Sequence, residues 1–136
     1  MERVLGRYSE PAYAVMRMVV GFLFACHGAQ KVLGWLGGLD GAGGTANNGL
    51  IWVAGVIELV GGALVATGFF AGAAAFLCSG QMAVAYFMAH QGQALFPIQN
   101  KGELAVLYCF AFLFIATKGA GIWSLGPRSG AAGARA

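Results

Sequence analysis

Residues 50–90 read LIWVAGVIELVGGALVATGFFAGAAAFLCSGQMAVAYFMAH, a nearly continuous apolar stretch whose only strongly polar members before the closing histidine are Glu58 and Gln81. A helix crosses the hydrocarbon core of a bilayer with about 20 residues, so a run of about 40 holds two crossings. The fold-back belongs at Thr67-Gly68-Phe69-Phe70-Ala71-Gly72, which gives spans over residues 50–68 and 72–90. That length selects helices over the alternating strands of a membrane barrel, which need only about ten residues each.

Working outward, an apolar stretch over residues 12–35 precedes this hairpin. It is opened by Pro11, a residue suited to the first turn of a helix. A Gly- and Asn-rich loop, Gly37 to Gly49, separates the two. After the hairpin, polar residues from Gln91 to Lys101, with Pro97 among them, form a second loop, and a further span covers residues 102–118. The expected architecture is all-α: an integral membrane four-helix bundle over residues 12–120. An N-terminal cytoplasmic segment (1–11) precedes it, and a Gly-, Ala- and Arg-rich flexible tail (121–136) follows.

Composition agrees. The chain is 59% hydrophobic and 10% charged, against about 25% charged in an average soluble domain. It lacks the polar side chains that would cover a water-facing globule. The net charge of +3 does not indicate nucleic acid, because the eight Lys and Arg are scattered singly. Cys26, Cys78 and Cys109 all lie in apolar stretches and match no metal-binding spacing. Arg3 and Arg7 ahead of Leu23-Phe24-Ala25-Cys26 resemble a lipoprotein signal, but Arg17 interrupts its apolar region and three further spans follow. Six of the eight bases (Arg3, Arg7, Arg17, Lys118, Arg128 and Arg135) fall on one side, opposite Lys31 and Lys101. Both termini are therefore expected in the cytoplasm.

The ionisable residues gather toward the other, outer half. Given the antiparallel spans, His27 and Glu58 both lie about 10–12 Å below the outer surface. Arg17, Val20, Phe24, His27 and Lys31 share one stripe less than about 90° wide, which places the polar groups of the first helix on one face. Around Glu58, the residues Ala54, Gly55, Gly61, Gly62 and Val65 form a small-residue surface that lets a neighbouring helix come close. Ionisable groups within a span cost about 2.5–3.5 kcal/mol each on insertion scales, so they tend to be paired and functional. Glu58, His27 and Lys31 are the candidate proton- or ligand-contacting cluster, with Gln30, His90 and Glu103 as weaker candidates near the same end. Glu58 is paired with His27 or Lys31, or is protonated; an interhelical bond of this kind can also serve register alone. Arg17 is expected to snorkel to the inner headgroups, Lys118 to anchor a helix end, and Gln81 to make a helix–helix hydrogen bond. His27 and His90 differ in depth by about two turns, which disfavours a shared haem. No metal site is expected.

Several of these segments resemble one family. Leu23-Phe24-Ala25-Cys26-His27-Gly28-Ala29-Gln30-Lys31 is similar to the first-helix motif of the DoxX family, an apolar run followed by H-G-x-x-K. Glu58-Leu59-Val60-Gly61-Gly62 resembles its second-helix signature, and Gly68-Phe69-Phe70 the turn after it. Lys101-Gly102-Glu103-Leu104-Ala105 resembles the start of its fourth helix, and Gly119-Ala120-Gly121-Ile122-Trp123-Ser124-Leu125 its closing segment. That segment often continues with Asp where this chain has Gly126. The resemblance implies a four-helix protein of the bacterial inner membrane, with some relatives linked to thiosulfate:quinone oxidoreduction. On that footing the expected function is a membrane subunit of a quinone-linked redox system, acting on sulfur compounds or more generally. Quinone would be its ligand, the lipid bilayer its surroundings, and other membrane or redox subunits or further copies of itself its partners. The competing expectation is a non-catalytic scaffold or assembly subunit that packs its Gly-rich faces against a larger complex; a small-solute transporter is a weaker third.

Overall fold

The computed structural model describes residues 1–126 of the 136-residue chain. Four long helices account for its architecture: α1 (Ser9–Leu33), α2 (Gly49–Thr67), α3 (Ala71–Ala85) and α4 (Glu103–Lys118). A helical turn (Glu2–Leu5) and a 3-10 turn (Gly6–Tyr8) precede α1, and a π-turn (Tyr86–His90) continues α3. The first eleven residues, expected to stand outside the helices, are thus largely helical, and Pro11 sits within the first turn of α1. The sole bridge among the described residues, Gly38 with Gly44, lies inside the first loop.

The helix ends follow local chemistry. α1 stops at Leu33, two residues short of the expected end, because Gly34 takes the left-handed conformation that closes a helix. Gly68 does the same for α2. At the start of α2 the Asn48 side chain accepts from the Leu50 N–H at 2.8 Å, satisfying one of the orphan donors of the first turn. Glu103 opens α4, where a carboxylate complements the helix dipole.

Among the described residues, three stretches are long and apolar enough to cross a membrane: Gly6–Leu33, Gly49–Thr67 and Ala71–His90. α4 has 16 residues, about 24 Å of helix. Its outward residues Leu107, Phe110 and Phe114 are as exposed as Val19 and Phe22 on α1 or Phe76 on α3. In lipid such surfaces need no covering, and apolar burial does not itself pull helices together. Close packing does. Gly21 and Gly28 on α1 face Gly62 and Gly55 on α2, and a Cβ at Gly21 would come within 2.5 Å of the Ala66 backbone nitrogen. Of the small-residue surface expected on α2, Gly55 and Gly62 are thus covered by α1, while Gly61 faces Cys78 of α3.

All four helices contribute to one core, including Phe24, Val65, Cys78, Met82, Tyr108, Phe112 and Ile115. Phe24 meets Phe112 and Tyr108 with ring centroids 4.6 and 5.1 Å apart, which closes the α1–α4 side. Ser79 Oγ donates to the Cys109 carbonyl at 2.8 Å and ties α3 to α4.

At the end of the molecule where the start of α1 meets the end of α4, Arg17 departs from expectation. It does not reach out to headgroups; it is fully buried. Its Nη1 donates to the carbonyls of Val65 and Ala66 at 2.6 and 2.7 Å, and Nη2 to that of Trp123 at 2.8 Å. The last carbonyls of α2 lack intrahelical partners, and a guanidinium offers several donors from one point. The closing segment supplies the acceptors for Nη2, while Nε is buried without a partner among the described residues, and the Leu125 N–H donates back to the Thr67 carbonyl at 3.0 Å. Residues 121–136, expected to form a flexible tail, are thus folded against the α2–α3 turn as far as Gly126; the rest of that expectation lies outside the described residues. Lys118, expected to anchor a helix end, pairs with Glu10 at 2.6 Å and lies over the Tyr13 ring.

Candidate functional site

The end opposite the α2–α3 turn contains a cavity of about 980 Å³ lined by all four helices. Most of its wall is apolar. The polar side chains that reach it are His27 and Lys31 from α1, Glu58 from α2, Gln81 from α3, Tyr108 from α4, and His90 and Lys101 at the mouth.

Glu58 sits at the centre and is 2% exposed. Of the pairings open to it, the one formed is with Lys31, whose Nζ lies 2.5 and 2.6 Å from the two carboxylate oxygens. The close α1–α2 approach makes this contact: a Cβ at Gly55 would meet the Lys31 Cβ at 2.7 Å, so the lysine stem runs along α2 toward the carboxylate. Gln81 completes the cluster. Its Nε2 donates to Glu58 Oε1 at 3.0 Å and to the Ala54 carbonyl at 3.3 Å, which is the helix–helix bond expected of it. Its Oε1 is buried without a partner among the described residues. One α1 cation, one α2 anion and one α3 amide therefore meet at a single level.

His27 lines the same cavity but turns toward α4, its ring set edge-on to Tyr108 at 6.1 Å between centroids. It makes no hydrogen bond within the described residues. Its second neighbour in the wall, Tyr108, carried no sequence signal, because a tyrosine in an apolar span reads as core. At the mouth, His90 Nδ1 donates to the Asn100 carbonyl at 2.9 Å, leaving Nε2 as the ring's acceptor. Asn100 is itself fully buried, with its amide on Ala94 and Tyr86 and its Oδ1 accepting from Gly102. It is the clasp of the second loop, which sequence reading missed. The π-turn Tyr86–His90 lies on this rim, and such turns often occur at functional sites.

The other two expected residues lie elsewhere. Gln30 donates to the Leu36 carbonyl at 3.3 Å, holding the first loop, and Glu103 is exposed at the start of α4. Neither lines the cavity. Among the described residues, no three His, Cys, Asp or Glu side chains are placed to share a metal ion.

A family model described as DoxX matches residues 12–91, which includes Lys31, Glu58 and Gln81. An uncharacterized protein of Haemophilus influenzae is 41% identical over 124 residues, spanning 89% of this chain and 92% of that protein. No solved structure matches. The matched region covers most of the chain and holds the helices that build the polar cluster, and on this evidence the chain belongs to the DoxX family.

Proposed function

We propose that this protein is a membrane subunit of a quinone-linked redox system, residing in the bacterial inner membrane with all four helices crossing it. The observation that carries this reading is the mismatch between the cavity wall and its centre. A wall of apolar side chains encloses one cluster of donors, which is the usual composition of a site for a mostly apolar ligand with a few polar atoms. A quinone is such a ligand: a flat ring with two carbonyl acceptors. Lys31 has a third N–H beyond the two aimed at Glu58, and His27 and Tyr108 face the cavity without a hydrogen bond among the described residues.

Reduction of a quinone to a quinol takes two electrons and two protons. In this reading Lys31, His27 and Tyr108 hold the carbonyl oxygens, and Glu58 and His27 pass the protons. The sequence has no recognisable flavin, haem or iron–sulfur motif, so the electrons come from a partner protein. The alternative of a non-catalytic assembly subunit draws on Gly-rich faces free for a partner. Gly21, Gly28, Gly55 and Gly62 are instead used within the chain, and that reading loses its main support.

Glu58→Gln is the test. It keeps the shape and removes the charge, and should abolish quinone-coupled turnover in membranes while leaving expression normal. Unchanged turnover overturns the proposal. A loss of complex yield with no redox activity tracking it supports the assembly subunit instead.

A further inference from the structure

The four seams between helices are not equally closed. Along α1–α2 the backbones touch through paired glycines. The α3–α4 seam is tied by Ser79 and Cys109, and the α1–α4 seam is filled by Phe24, Tyr108 and Phe112. The α2–α3 seam is closed toward the turn that joins the two helices, where a Cβ at Gly61 would meet the Cys78 sulfur at 2.5 Å. Gln81 also ties it at Ala54 and Glu58, and alongside that tie, from Leu77 to Val84 on α3, it opens. Leu50, Val53 and Ile57 on α2 face Leu77, Gly80 and Val84 on α3, two stripes of matching helical register that both line the cavity. Val53, Leu77 and Val84 line the cavity and are 51, 57 and 55% exposed, so the wall is open along this seam. Gly80 is at the middle of the slot, and a Cβ built on it meets nothing within 4 Å.

We propose that this slot is a lateral portal, through which a lipid-soluble quinone enters from the bilayer and in which its aliphatic tail remains. Gly80 is the residue that keeps it open. The inference rests on the quinone reading and adds to it the route and the part of the ligand that the apolar wall holds. Continuity carries it: Gly80 adjoins Gln81, whose amide bridges Ala54 and Glu58 across the same seam. The slot therefore leads from lipid to the polar cluster without passing a charged surface, and its walls offer a ring-bearing head nothing to hydrogen-bond but suit a hydrocarbon chain.

The test uses the full chain in lipid nanodiscs and two quinones without free ring positions, decylubiquinone with a tail and duroquinone without one. Gly80→Trp puts a large apolar side chain into the slot at a position where a Cβ meets nothing within 4 Å, and should weaken equilibrium binding of decylubiquinone by about tenfold or more while leaving that of duroquinone, which has no tail to seat there, unchanged. Gly80→Ala should change neither. If Gly80→Trp does not fold to the wild-type melting temperature, Gly80→Leu takes its place. Unchanged decylubiquinone binding in the filled variant overturns the portal and leaves the quinone site standing. Equal loss of both quinones also overturns it, since Gly80 then shapes the head site. If neither quinone binds the wild-type protein, the quinone reading fails and the portal with it.

Discussion

Arg17 shows what a single buried charge can organise. Its guanidinium joins carbonyls of α2 to carbonyls of the closing segment, 105 and 106 positions away along the chain. Replacing it by Met leaves those acceptors facing an apolar side chain, at a cost of roughly 3 kcal/mol. Arg17→Lys should recover part of this, since an ammonium reaches fewer of them. Unfolding in detergent measures the loss, and protease sensitivity after Gly119 reports release of the closing segment. The sequence showed Arg17 near one membrane surface and no more; its acceptors come from a segment that nothing local links to it. The Lys31–Glu58 pair was partly legible, since both residues stood at matching depth, but His27 stood there too. Lysine prevails because the glycine contact brings its stem onto α2. Lys31→Met should cost less than the 3–5 kcal/mol of breaking a fully buried pair, as the lysine side chain is 24% exposed. Adding Glu58→Met should restore part of that loss, which a double-mutant cycle would read. In the first loop, the Asp40 carboxyl is held below its ordinary range because it accepts from the Gly44 and Ala42 N–H groups. A lowered folded-state value means that the order it lends is present above about pH 3.9 and is lost as pH falls further. The protection of the Ala42 and Gly44 amides, exchange corrected for its intrinsic pH dependence, should therefore fall on acidification, and unchanged protection would contradict this.

Among the elements, the α1–α2 pair is the closely packed half and α2–α3 the more open seam. Gly21 and Gly28 are seven residues apart, as are Gly55 and Gly62. In antiparallel helices this matches one pair to the other in register. Gly28→Ala would set a methyl against the Leu59 backbone and force the helices apart, costing about 1–3 kcal/mol. Gly80→Ala, with open space around it, should instead be neutral or stabilise by up to about 1 kcal/mol from helix propensity. The contrast is sharp because the substitution is the same; comparable melting shifts at both positions would show that the seams do not differ. Helix existence was readable from apolar length, and the hairpin from Thr67 to Gly72 was readable from its glycines. The π-turn at Tyr86–His90 was not. Its residues continue the apolar pattern, and the widening comes from the Asn100 clasp and the His90 bond to that loop, contacts set by the return of the chain.

For the whole molecule, the remaining question is which way the cavity faces, and the helix lengths make it a sharp one. Among the described residues, three stretches are long enough to cross. α4 is about 24 Å long, shorter than a hydrocarbon core of about 30 Å, yet its outward face is apolar along its length and the loops at either end are placed as for the other helices. Local thinning of the bilayer or snorkelling at Lys118 absorbs such a mismatch at modest cost. If α4 crosses, the start of α1 and the end of α4 share one side, and Arg7, Arg17 and Lys118 there, against Lys31 and Lys101 at the other, place that side in the cytoplasm. Lys31, Glu58 and Gln81 then lie in the outer half of the membrane, and protons taken up at the cavity come from outside. The check is a set of fusions. Green fluorescent protein at the C-terminus should fluoresce, and alkaline phosphatase inserted at the exposed glycines Gly41 and Gly92 should be active. If both reporters report the reverse, the cavity faces the cytoplasm and its proton supply changes side. If the C-terminal fusion alone reverses while a fusion at the N-terminus remains cytoplasmic, α4 does not cross, and the cavity it helps to wall lies at a membrane surface rather than within the bilayer.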